Sequence, residues 1–186
     1  MSQLIDFLSG DIVIQVLGFI GISAGLVSFH MKRRGGILVF QILCCIFFAV
    51  QLILLGAYSG AVINIIGIFR GIIYSMRGKY GWTSSRAVPI SMIALFIITG
   101  VTTSLIEGPL ALLPAGAMTV QSIAQFMKDE RRIRIISLFG SPLWIVYHVT
   151  AGSLGGWLGE IFMMISIAIA IITNEKRDTG TPDAAK

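Results

Sequence analysis

Charge is scarce in this sequence. Of 186 residues, 12% are charged and 55% are hydrophobic, whereas soluble domains carry roughly a quarter charged residues. With a mean hydropathy of +0.88, the deficit excludes an ordinary soluble domain and points to a chain that lives in a bilayer. Cysteine is nearly absent as well: Cys44 and Cys45 are the only two, adjacent in an apolar run. They offer no CxxC or Cys/His metal spacing and no pair suited to a structural disulfide, so they read as two small apolar side chains. No HExxH, phosphate loop or pair of catalytic carboxylates is present. The two histidines, His30 and His148, fall at opposite ends of their spans and cannot share a metal. GISAG (Gly21–Gly25) fits the G-x-S-x-G hydrolase pattern, but that motif needs a strand–turn–helix setting. Inside a helix, Gly18, Gly21 and Gly25 instead allow close helix approach. The expectation is therefore a protein with no cofactor, no metal and no enzymatic centre. Met1 to Asp11 contains no Lys or Arg, so no cleavable signal peptide is expected.

What is there in abundance is apolar length. A bilayer core needs about 20 apolar residues per helix. Seven spans are predicted: Ile12–Met31, Gly36–Leu55, Gly60–Met76, Val88–Ile106, Leu110–Met127, Ile135–Thr150 and Leu154–Thr173. The sixth starts nearer Arg132, and Thr99, Thr102, Thr103 and Ser104 dilute the fourth. The net charge of +5 gains meaning on this map. Lys32, Arg33 and Arg34 follow span one; Arg77, Lys79 and Arg86 flank the loop after span three. Lys128, Arg131, Arg132 and Arg134 follow span five, and Lys176, Arg177 and Lys186 lie in the tail. All thirteen fall on one side, while the other side has Asp6, Asp11 and Glu107. The positive-inside rule then predicts an outside N-terminus, a cytoplasmic C-terminus and a loose polar tail from Asn174, with a bilayer rather than a nucleic acid as partner.

The chain also repeats itself. Shifted by 96 residues, FFAVQLILLGAYSGAVIN (Phe47–Asn64) falls without gaps on LWIVYHVTAGSLGGWLGE (Leu143–Glu160). Gly56 meets Gly152, Gly60 meets Gly156, Val50 meets Val146, and Ile65 meets Ile161. The basic cluster, the glycine turn and a polar residue in the third helix keep step. The expected fold class is an all-α membrane protein with seven transmembrane helices in a 3+1+3 plan. Residues 1–80 form the first three-helix repeat, 81–107 a linker helix, 108–174 the second repeat and 175–186 a polar cytoplasmic tail. Because three is odd, the linker crossing restores the direction, and the repeats are parallel.

Two charges stand inside the spans. Glu160 lies in an otherwise apolar run, where a charged group costs roughly 2.5–3.5 kcal/mol on insertion scales. Such a residue marks a cavity, a proton path or a buried partner. Arg70 sits six residues beyond Asn64, about 9 Å deeper and rotated about 120° off its face. It either reaches Glu160 through helix tilt or snorkels to the cytoplasmic edge, in a structural or gating role or as an anion-binding group. Gln121 and Gln125, four apart, share one face. Gln51 and Tyr147 are repeat equivalents, as are Gln41 and Ser137.

A parallel 3+1+3 layout with VLGFIGISAGLVSFHMKR, LWIVYH and NIIG resembles the SWEET/SemiSWEET (MtN3) and PQ-loop transporter superfamily. LLGAYSGAVINIIGIFR, ALLPAGAMTV and AGSLGGWLGE more closely resemble the YgjV-like bacterial inner-membrane proteins, over about Ile12 to Thr173. The resemblance implies a multi-pass protein of the bacterial inner membrane, N-terminus periplasmic, that carries a sugar or other small polar metabolite by alternating access. It implies a substrate-facing set of Asn64, Glu160, Trp144 and Tyr147, to which the polar span residues Gln51 and Gln121 are added as candidates. Glu160 stands where the relatives have an asparagine. Pro114 and Pro142 are the implied hinges; Gly18 and Ile46 occupy the matching first-repeat positions, and the signature Pro-Gln pair is absent. Two other readings are a scaffold or receptor with a vestigial cavity and, third, a membrane enzyme. A homo-oligomer is compatible with all three.

Overall fold

In lipid no water satisfies the backbone, so apolar spans fold into helices that satisfy their own N–H and C=O groups. A computed structural model describes the backbone of residues 2–31, 33–127 and 130–179. Lys32, Lys128 and the tail residues 180–186 lie outside the described residues, as do the side chains of Asp6, Asp11, Arg34, Arg131, Arg134, Lys176 and Arg177. The described chain is all-helical: α1 (Ser2–His30), α2 (Arg34–Leu54), α3 (Tyr58–Ser75), α4 (Ala87–Glu107), α5 (Leu112–Phe126), α6 (Glu130–Thr150) and α7 (Leu154–Thr179). Single 3-10 turns at Gly81–Ser84 and Pro109–Ala111 precede α4 and α5. No strand occurs among the described residues.

Three of the expected spans are long and apolar enough to cross a membrane outright: Gly35–Leu54, Tyr58–Ser75 and Ala87–Glu107. The last is the threonine-diluted span, with a mean hydropathy of 2.0. Ile12–Ser28, Ile135–Thr150 and Leu154–Ile169 are shorter apolar stretches. Helix α1 begins ten residues before the expected span, and α7 runs on to Thr179 where a loose tail was expected from Asn174. Hydropathy marks lipid depth, not the point where backbone hydrogen bonding stops.

Six helices close a ring: α1 packs on α2, α2 on α3, α3 on α5, α5 on α6, α6 on α7, and α7 on α1. Helix α4 lies outside it against α3 and α5, with only 11% of its apolar window buried. The bundle is apolar outside and mixed inside, where Leu52, Ile63 and Met118 pack beside buried polar groups. Ile90, Leu105, Ile106, Phe69 and Phe139 face outward, as a lipid-facing surface requires. Gln51, Asn64, Arg70, Ser122, Gln125, His148 and Glu160 are buried.

The helix limits repeat along the chain. Helices end at 30 and 126, start at 34 and 130, end at 54 and 150, and start at 58 and 154, each pair 96 apart. The tight turns match as well. Gly56 has φ 73° and Gly152 φ 72°, a left-handed conformation glycine adopts without a Cβ penalty. Ala57 N donates to Leu52 O and Ser153 N to His148 O, both at 2.9 Å.

Candidate functional site

The two glycine turns bring polar side chains to one end of the ring, where each half holds the start of a helix from the other. Glu107, at the end of α4, accepts the Ser59 N–H with both carboxylate oxygens, at 3.0 and 3.1 Å. A carboxylate there satisfies an orphan donor and complements the positive end of α3. The Tyr147 hydroxyl of α6 accepts from Gly60 N–H at 2.8 Å, pairs with Ser59 Oγ at 2.8 Å and lies 3.3 Å from Ala57 O. Its ring fits because residue 60 has no side chain: a Cβ there would meet the ring at 2.4 Å. The start of α7 is held in turn by α1 and α2. Gln15 Oε1 accepts Leu154 N–H at 2.9 Å and Gln15 Nε2 donates to Gly152 O at 2.9 Å. Ser153 Oγ donates to Gln51 Oε1 at 2.8 Å and accepts from Gly156 N–H at 3.2 Å, an N-cap arrangement. A hollow of about 350 Å³, lined by Ser59, Glu107, Tyr147 and Thr150 among others, opens at this end.

Deeper, between the halves, lies a second cavity of about 40 Å³. One water takes about 10–15 Å³ by this measure, so it holds roughly three. Every ring helix contributes: Gly25 from α1, Gln41, Cys44, Cys45 and Phe48 from α2, Asn64 from α3, Met118 and Gln121 from α5, Trp144 and His148 from α6, and Glu160 and Met163 from α7. The His148 ring stacks on Trp144 with centroids 5.1 Å apart and an interplanar angle of 22°, and lies 4.9 Å from Phe48. Asn64 Nδ2 donates to Gly60 O at 2.9 Å. Glu160 is 5% exposed; Ser141 hydrogen-bonds its carboxylate, and Oε2 has no partner.

The opposite end is closed by α3 against α5. Arg70 is buried with Nη1 3.2 Å from both Met118 O and Ser122 Oγ, and its guanidinium lies 5.6 Å from the Phe96 ring centre of α4. Tyr74 Oη donates to Ser122 O at 3.4 Å. Arg77 donates to Phe126 O and covers the Phe126 ring at 3.9 Å. Gln125 donates to Gln41 across the halves.

A family model described as a bacterial inner membrane protein, Imp-YgjV, matches residues 12–178. The chain belongs to the Imp-YgjV family. It is a bacterial inner-membrane protein, and its apolar outer surface is what that location requires. No curated protein and no solved structure matches it.

Of the residues that the sequence marks, this family member brings Asn64, Glu160, Trp144 and Gln121 to the wall of one cavity. Tyr147 and Gln51 are instead engaged in the hydrogen bonds at the glycine-turn end. Arg70 turns neither to Glu160 nor to the edge but across to α5. Pro142 stands inside α6, where it removes a backbone donor. Pro114 falls in the first turn of α5, where a missing N–H breaks no helical bond. His148, Phe48, Gln41, Cys44 and Cys45 are lining residues that carried no functional expectation. The 96-residue offset could have found Phe48, the equivalent of Trp144. Nothing flagged His148, whose equivalent is Leu52.

Proposed function

We propose that this protein is a small-solute carrier of the inner membrane, working by alternating access between two parallel three-helix units, α1–α3 and α5–α7, joined by α4. The observation that carries the reading is the cavity between the units, lined by all six of their helices, with Asn64 and Glu160, 96 residues apart, both on its wall. The equal spacing of helix limits and the matched glycine turns support a duplicated unit. Contacts of the third helix of each unit with the first helix of the other, α3 on α5 and α7 on α1, support a symmetric pairing. A site lined by both members of a repeat is where such carriers bind their solute. The charge map supports an outside glycine-turn end and a cytoplasmic basic end.

The described conformation is narrow between the units. Tyr147, Ser59 and Glu107 join helices at the glycine-turn end, and Arg70, Arg77 and Gln125 join them at the other. A drug-sized ligand needs about 300–1,000 Å³, so a cavity of about 40 Å³ admits a metabolite only as the units rock apart. Pro142 gives α6 a place to bend. Polar side chains buried at this depth are costly unless they serve a site, which favours a carrier over a scaffold with a vestigial cavity.

Purified protein in proteoliposomes tests the proposal. A panel of small polar solutes, neutral, cationic and anionic, should include one whose uptake exceeds that of empty liposomes and falls at least tenfold when Asn64→Ala is introduced. No flux across the whole panel by folded protein would refute the carrier reading in favour of the scaffold.

A further inference from the structure

We propose that the central cavity receives a protonated amine: the solute presents an ammonium head group to Glu160. This rests on the carrier reading and names the class of its substrate. Among the residues on the cavity wall, Glu160 is the one acidic or basic side chain besides His148. Among the described residues, no lysine or arginine lines it. Arg70, the nearest candidate by sequence, is held by Met118 O, Ser122 Oγ and the Phe96 ring. A carboxylate buried to 5% exposure, hydrogen-bonded by Ser141 and with Oε2 unpartnered, lacks a counter-charge.

The rest of the wall suits a small organic cation. Trp144, Phe48 and the His148 ring supply aromatic surface, whose electron-rich faces attract ammonium groups. Asn64, Gln41 and Gln121 supply side-chain carbonyl oxygens that can accept from an N–H donor. An anion would meet the Glu160 carboxylate with no cation to offset it. A neutral polyol would leave the buried acid to neutralise itself by taking up a proton, and an amide at that position would serve such a solute as well. The space for roughly three waters matches an ethylammonium-sized head group, so the closed state clasps the head while the remainder of the solute waits on opening.

The test uses full-length protein in detergent micelles and three probes of similar size and different charge: ethylammonium chloride, acetamide and sodium acetate. Ionic strength and pH are held constant. A three-heavy-atom ligand binds no tighter than about millimolar, so each is titrated to about 100 mM while thermal unfolding is followed. Ethylammonium should raise the midpoint and the other two should not. Glu160→Gln should weaken ethylammonium binding at least tenfold, and Glu160→Asp should keep part of it. Equal shifts from acetamide, no shift from ethylammonium, or an undiminished shift in Glu160→Gln would overturn the assignment. If Glu160→Gln does not fold, the charge series on the unsubstituted protein decides alone. Failure here is distinguishable from failure of the carrier reading. Ethylammonium binding without flux ends the carrier; flux of a neutral solute that persists in Glu160→Gln ends the ammonium assignment and keeps the carrier.

Discussion

Replacing Tyr147 with phenylalanine should open the route from the outer hollow to the cavity. The ring still fits the notch at Gly60, so packing is kept and only the hydroxyl is lost. That hydroxyl accepts from Gly60 N–H at 2.8 Å, pairs with Ser59 Oγ at 2.8 Å and lies 3.3 Å from Ala57 O. Interhelical hydrogen bonds in membranes average about 0.6 kcal/mol and reach about 1.7. Losing two good ones and a long third therefore costs about 1–2 kcal/mol. These bonds join α6 to the start of α3, so the loss falls on the closed state. In the proposed alternating-access cycle it should raise the outward-open population about 5- to 30-fold. The protein carries its own reporter, since its two free cysteines, Cys44 and Cys45, both line the cavity. In right-side-out vesicles, a small membrane-impermeant methanethiosulfonate reagent should modify them faster in Tyr147→Phe by that factor. An unchanged rate in folded protein would show that Tyr147 is not the barrier, and the proposed outer gate would be wrong.

Two further substitutions probe what joins the units. Arg70→Ala removes the bonds to Met118 O and Ser122 Oγ and the contact with Phe96; it should cost about 1–3 kcal/mol, read as a lower unfolding midpoint in detergent, and an unchanged midpoint would mean that Arg70 ties nothing together. Gly155→Ala places a Cβ 2.6 Å from the Gly18 carbonyl carbon and 2.7 Å from Phe19 N, so α1 and α7 must separate at a cost of about 1–3 kcal/mol. Gly35→Ala meets nothing within 4 Å and should be neutral or stabilising by up to about 1 kcal/mol; equal midpoints for the two variants would refute the close α1–α7 contact.

How much was legible in the sequence differs residue by residue. The helix limits were readable because hydropathy and glycine turns keep the same 96-residue step that the helices follow. Asn64 and Glu160 were readable because a polar residue at an equivalent place in both halves marks a shared wall, and Trp144 because the resemblance carried by LWIVYH points to it. His148 was not, since its equivalent is the buried Leu52, and comparison of the halves yields no polar match. Tyr147 was read as a cavity residue on the same resemblance. The notch left by Gly60 draws it to the neighbouring helix start instead, and that depends on which residue packs opposite. The fate of Arg70 was hidden because one of its acceptors is the Met118 carbonyl, and backbone groups leave no trace in composition.

Helix α5 has 15 residues, about 22 Å at 1.5 Å per residue, against a hydrocarbon thickness of about 30 Å. The Pro109–Ala111 turn that runs into it adds about 6 Å at 2.0 Å per residue, so the flank that exposes Leu112 and Ile123 meets lipid at close to full depth only while that turn stays wound. Unwinding it would leave the acyl chains beside α5 to compress. The turn thus ties the thickness of the host membrane to the wall that carries Met118 and Gln121.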